Sequence, residues 1–300
     1  MGWKIFFGFI FFLMVVFLLG VYWFFPEAEF MIGERHSNFS LSSVGGGNMQ
    51  FYPNMRYPAS EISYKIYNCP LQKKNNMELA FDIVSNKTVL DFYPIEVNEE
   101  ISVACDSKQR LEEGMFIAGE GGPTNITKTN NFNVIVRGKI LLIKESECKN
   151  PNVAIHELLH ALGFEHSSNP NNIMYNFSKC SQNIGEDTID LINKIYAVLS
   201  YPDLSFESVS ASMHGRYLDT NISIRNNGLK KSDKALVEIY ADDKLIKEVD
   251  LESIDIGYGR QISLSNLLVA KLQINKFNFV IKTNFDELDK SNNAISLDKK

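Results

Sequence analysis

The chain has 300 residues, room for about two domains. With 45% hydrophobic and 22% charged residues it has the composition of a globular protein rather than a disordered one. A net charge of −6, with no clustered Lys/Arg stripe, argues against a nucleic-acid partner, because phosphate binding needs a basic face.

The first segment, residues 1–26, is the most apolar. Ile5 to Phe25 runs without a charged residue. As a helix rising ~1.5 Å per residue it extends roughly 30 Å, the thickness of a bilayer's hydrocarbon core. Lys4 precedes the run and Glu27 and Glu29 follow it, so the positive-inside bias puts the N-terminus in the cytoplasm. Tyr22 and Trp23 suit an interfacial aromatic belt. The bulky flank Val21 to Pro26 lacks the small residues of a signal-peptide cleavage site. The expectation is an uncleaved single-pass anchor through residues 5–25, with everything beyond it extracytoplasmic at the cell membrane.

Residues 27–55 read as a stalk or linker: they are polar and hold Ser40 to Ser43 and the run Gly45 to Gly47. Glu61 to Tyr67 alternates and predicts a strand, and Leu71 to Asn86 carries Met77, Leu79, Ala80, Phe81, Ile83 and Val84, mostly on one face of a helix. Val89–Tyr93 and Ile101–Cys105 predict strands, Gly114 to Pro123 a glycine-rich loop, and Phe132–Ile143 another strand. Asn150 as N-cap and Pro151 at the first helical position open a helix that should stop at Gly163. A last helix spans Glu186 to Leu199, and Tyr201-Pro202 closes the domain 56–202. From 203 to 300 alternating runs near 220–225, 235–241, 245–251 and 278–282, separated by turn residues, predict an all-β sandwich.

Four cysteines, Cys69, Cys105, Cys148 and Cys180, all follow the apolar run, and an even number in an exported segment suggests two disulfides with three possible connectivities. Cys148 and Cys180 bracket the histidine run described next, which favours 148–180 with 69–105. Buried free thiols are the alternative.

That run is His156-Glu157-Leu-Leu-His160-Ala-Leu-Gly163-Phe-Glu-His166. Histidines four apart on a helix share a face and can grip one ion, and Glu157 stands beside them. Gly163 permits the positive φ that turns the chain and returns His166 as third ligand. Three neutral imidazoles leave one zinc position open for an activated water, with Glu157 as general base and then acid.

An HExxHxxGxxH run followed by Met174-Tyr175 resembles the metzincin clan, and Ser167 after the third histidine makes it similar to the matrixin branch. The resemblance covers about residues 56 to 200. It implies an α+β zincin fold, a twisted mixed sheet with three helices. It also implies one catalytic Zn2+ on His156, His160 and His166, and Met174 as the hydrophobic floor of a methionine turn. The activity implied is zinc metalloendopeptidase action on protein or peptide substrates. An extended substrate would lie along an edge strand, suggested here as residues 132–143. No PRCGxPD switch occurs, and no histidine between residues 37 and 155 could serve a second, structural zinc. Residues 209–297 resemble the CARDB family of Ig-like surface domains on Ile222 to Gly228, Val237 to Asp243 and Asp286 to Asn293, implying a spacer or a module for a cell-surface ligand. The alternative function is an adhesion or scaffold protein with a structural or inactive zinc site, against which the intact Glu157 argues.

Overall fold

The structure is a computed structural model and describes residues 2–24, 27–29, 49–108, 111–112, 115–144, 148–270 and 273–299. In chain order the elements begin with helix α1 (Gly2–Phe24), strands β1 (Glu27–Glu29), β2 (Met55–Arg56) and β3 (Glu61–Tyr67), and helix α2 (Leu71–Lys87). There follow β4 (Asp91–Pro94), β5 (Ile101–Cys105), a short ribbon of β6 (Leu111–Glu112) and β7 (Met115–Phe116), then β8 (Gly119–Lys128) and β9 (Asn133–Leu142). Helices α3 (Asn152–Ala161) and α4 (Glu186–Tyr196) complete the first half. The remainder is all strand: β10 (Leu204–His214), β11 (Tyr217–Asn226), β12 (Ala235–Ala241), β13 (Lys244–Leu251), β14 (Gly259–Leu268), β15 (Lys276–Lys282) and β16 (Ala294–Asp298). Two compact units result, one of residues 39–202 with 227–230, the other of 1–38, 203–226 and 231–300.

The α+β unit is built on a mixed sheet in the order β2-β9-β5-β3-β4, parallel throughout, with β8 added antiparallel to β9. Its alternating strands bury Ile62, Ile101, Val103 and Ile140. Helix α2 seats Met77, Ala80, Phe81 and Val84 in that core, and Phe81 lies between Tyr64 and Phe92 with ring centroids at 4.1 and 4.9 Å. Leu79, on the other face of the helix, is exposed. The disulfides are Cys69–Cys105 and Cys148–Cys180, the favoured pairing.

A buried cation closes this unit. Arg56 is 1% exposed and donates to the carbonyls of Ile195 (2.7 Å), Val198 (2.9 Å) and Pro58 (3.1 Å), with its guanidinium 4.3 Å from the centre of the Tyr196 ring. It thereby satisfies carbonyls left open where α4 ends. Burial lowers its pKa to about 10, so it stays charged near neutrality.

Several expectations change here. Of the expected glycine-rich loop, residues 115–116 form β7, 119–123 belong to strand β8 and Gly114 lies outside the described residues. Residues 132–143 are not an edge, because β9 lies between β5 and β8, leaving β8 outermost among the described residues. The metal-helix start shifts to Asn152, with Pro151 before it and no side-chain cap; Asn150 contributes its backbone carbonyl to Asn152 N–H at 2.9 Å. The last helix ends at Tyr196 rather than Leu199, where Arg56 takes up its carbonyls. Of the expected stalk, residues 27–29 form a strand and Met49 to Phe51 pair with the chain near Phe164, while residues 30–48, with both the serine and glycine runs, lie outside the described residues.

The β unit packs two four-stranded sheets, β1-β10-β11-β14 and β13-β12-β15-β16, around a core that includes Phe206, Ile222, Val237, Phe277 and Phe279. Strands β10, β14 and β16 were not among the four expected runs. Helix α1 extends over 23 residues, and its described side chains, Trp3 and positions 6–18, are all exposed. Among the described residues no helix is long and apolar enough to cross a membrane.

Arg56→Met is expected to lower stability by about 3 kcal/mol, since it strands several buried carbonyls at once. The shift of the urea midpoint at unchanged slope measures it.

Candidate metal centre

Helix α3 forms where its sequence is apolar on nearly every face, because it is enclosed: Val153, Ala154, Ile155, Leu158, Leu159 and Ala161 are all buried. The exceptions carry chemistry. His156 and His160 stand one turn apart, and Gly163, with φ of +95°, reverses the chain just after the helix. Any side chain at 163 would also run into Met55, whose Sδ would lie 2.5 Å from its Cβ. The reversed segment brings His166 back to the helix.

The three Nε2 atoms converge. His160 Nε2 is 3.0 Å from His156 Nε2 and 3.1 Å from His166 Nε2, and the three ligand atoms lie within 4.8 Å of one another. Tetrahedral zinc with Zn–N bonds of ~2.0–2.1 Å separates its nitrogens by about 3.3 Å, close to this spacing. The opposite ring nitrogens set the tautomers: His156 Nδ1 faces the Ile173 carbonyl at 2.6 Å and His160 Nδ1 the Phe164 carbonyl at 2.7 Å. A carbonyl accepts only, so each Nδ1 must carry the proton and each facing Nε2 presents a lone pair. Two lone pairs at 3.0 Å repel unless a cation lies between them. Burial lowers the pKa of both rings, that of His160 to about 4, which keeps them neutral as ligands. The donor set therefore fits a zinc ion.

Met174 is 2% exposed and its loop is tightly pinned. Its carbonyl accepts from Ser167 N–H at 2.8 Å, and its own N–H donates to Asn172 Oδ1 at 2.9 Å. The methionine turn thus holds two site residues at once, since Ile173 supplies the carbonyl for His156. A cleft of about 390 Å³ opens beside His166, between Met49 and Phe164 on one side and Asn172, Met174 and Asp187 on the other.

Glu157 is 5% exposed, and burial, aided by the charge of Glu120, raises its pKa to about 8. It sits against β8. A Cβ at Gly119 would lie 2.7 Å from Glu157 Cγ and 2.9 Å from Oε1, and one at Gly121 would collide with the Glu157 carbonyl oxygen. This explains the strand where glycine predicts a loop: the residues lack side chains because α3 occupies their space.

The structure thus brings together His156, His160 and His166, puts Glu157 at the edge strand and places Met174 in the turn beneath. Reading by residue type missed the acceptors, Ile173 and Phe164, because they act through backbone carbonyls. It also missed Met49 to Phe51, which exchange backbone bonds with Gly163 and Glu165 at 2.9 Å and stack Phe51 near His160. No side-chain signal marks such a pairing.

Comparison with known proteins agrees with this geometry. Residues 56–197 match the family model of the matrixins. The chain is also similar to the solved CARDB domain of a Pyrococcus furiosus protein, in complex with di-metal ions, at 15% identity. That likeness covers 34% of this chain and 89% of the other, with a TM-score of 0.28. No curated protein matches the chain.

Two outcomes are expected. Gly121→Ala should destabilise by about 1–3 kcal/mol through overpacking against α3, while Gly122→Ala, with open space at its Cβ, should not. Thermal unfolding of the pair decides this. Adding zinc to metal-stripped protein at about 100 times its Kd should raise stability by about 2.7 kcal/mol, lost again with His160→Ala.

Proposed function

Because residues 56–197 match the matrixin family model and carry that histidine cluster, we propose that the chain is a zinc metalloendopeptidase, held at a membrane by its apolar N-terminal segment with its catalytic unit on the extracytoplasmic side. The observation that carries the hydrolytic reading is the convergence of three histidine Nε2 atoms next to a buried carboxyl. Zinc held there supplies a Lewis acid that makes a water more acidic and polarises the scissile carbonyl.

The chain's own groups do the rest. Glu157 accepts the proton of the attacking water on its carboxylate and returns it to the departing amine. Among the described residues β8 is the outermost strand of the sheet, the place where an extended peptide would add, and it runs past Glu157 because Gly119 and Gly121 let it approach. A substrate added there is a further strand of the sheet. The cleft beside His166 can receive one of its side chains.

The anchor reading rests on the apolar sequence Ile5 to Phe25, since the described side chains of α1 by themselves make no run long enough to cross a membrane. Those side chains are almost all large and apolar, among them Phe11 (69%) and Phe17 (70%), and all lie exposed. An apolar surface of that size stays soluble only when something apolar covers it, and lipid is what its sequence suits.

Glu157→Ala should retain one equivalent of zinc by metal analysis and cleave a peptide library at least about 10³-fold more slowly, as loss of the general base requires. Zinc retention with undiminished cleavage would refute the role of Glu157. Zinc binding by the wild-type chain with no cleavage of any peptide would favour the scaffold reading.

A further inference from the structure

Strand β1 ties the start of the chain to its last module. Phe24 ends α1 and Glu27 begins β1, so three Cα–Cα steps join them, a reach of at most about 11 Å. Strand β1 is itself the edge of a sandwich sheet, with Glu27 opposite His214, Ala28 opposite Met213 and Glu29 opposite Ser212. The direction matters. The residue nearest α1 meets the last residue of β10, where the chain reverses through Gly215 and Arg216 into β11. This hairpin end of the sandwich is therefore tethered one strand spacing, ~5 Å, beyond that short link.

The same end carries exposed apolar side chains. Tyr217 (48% exposed) and Leu268 (60%) are cross-strand partners. Leu245 (41%) stands at the start of β13, whose turn meets the start of β15 through Asp242 N–H and the Lys276 carbonyl at 2.9 Å. Exposed cations flank these groups. Arg216 is held over the tip by a 2.6 Å bond to the Ala270 carbonyl, and Lys244 precedes Leu245. Acidic residues lie at this end too: exposed Asp243, Asp219, which lies 3.5 Å from His214, and Asp298, in register with Lys276, while Asp242 accepts from the Asn275 N–H at 3.0 Å. Apolar side chains, one of them tyrosine, beside cations are the composition of a surface that meets lipid headgroups.

We propose that this end of the sandwich rests on the bilayer crossed by α1, with Tyr217, Leu268 and Leu245 in the headgroup region and Arg216 and Lys244 against lipid phosphates. The proposal rests on α1 being a membrane anchor. A module that sequence order puts farthest from the anchor is then fastened beside it.

The test uses the full chain reconstituted in phosphatidylcholine–phosphatidylglycerol vesicles that contain a phosphatidylcholine with a photoactivatable headgroup. Irradiation, trypsin digestion and mass spectrometry locate the lipid adducts. Peptides 217–225 and 261–271 should be labelled several-fold above peptide 248–260, which carries the still more exposed Tyr258 at the opposite end of the sandwich. Tyr217→Ser combined with Leu268→Ser should bring both down to that background without changing labelling of peptide 5–35. Adducts confined to peptide 5–35 overturn the proposal and leave the anchor standing. A chain that neither floats with the vesicles nor takes adducts in peptide 5–35 overturns the anchor reading, and the proposal with it.

Discussion

Two backbone carbonyls, those of Ile173 and Phe164, decide what this site is. Each accepts a proton-bearing Nδ1 and so turns the other nitrogen of its histidine, lone pair outward, toward a shared point. Without them the same histidines could rotate or change tautomer, and the run would be three imidazoles in a row. With them the structure holds like dipoles face to face at 3.0 Å, an arrangement that is stable only around a cation. Metal affinity is thus prepared by main-chain atoms that lie one loop away from the ligands.

Much of the rest of the unit keeps those carbonyls where they are. The Phe164 carbonyl is set by the turn at Gly163 and by the pairing of Met49 and Phe51 with that turn. The Ile173 carbonyl is set by the loop around Met174, which Asn172 pins from within and the Cys148–Cys180 disulfide closes from outside. Arg56 binds the end of α4 to β2, next to the residues that back the turn. A buried arginine held by carbonyls, a hydroxyl and an aromatic ring rather than by a carboxylate is costly to desolvate, yet it replaces several missing helix-end bonds with one side chain.

The close contact of β8 with α3 links packing to chemistry. Glycine at 119 and 121 removes the side chains that would hold the strand away, so the outermost described strand of the sheet passes Glu157 of the histidine motif. The same contact desolvates Glu157 and raises its proton affinity. The approach of the outer strand and the burial of Glu157 therefore follow from one absence of side-chain volume. In the β unit a comparable economy appears at β1, where three residues cover a sheet edge and fix the exit of α1.

The sequence by itself determined the ligands, the glutamate, the turn glycine, the methionine and the favoured cysteine pairing, because each depends on residue type at short spacing along one helix and its exit. It determined most elements of the α+β unit too, since helical and alternating periodicities are local. Only the tertiary structure decided that Gly119 to Pro123 is a strand, that β8 rather than residues 132–143 is the edge, and that Met49 to Phe51 belong to the metal loop. In each case the cause is a neighbour distant in sequence: α3 pressed on glycines, β5 and β8 flanking β9, a backbone pairing with no side-chain signature. Residue type reports what a side chain can do, while a carbonyl's direction and a strand's neighbours are properties of the folded chain.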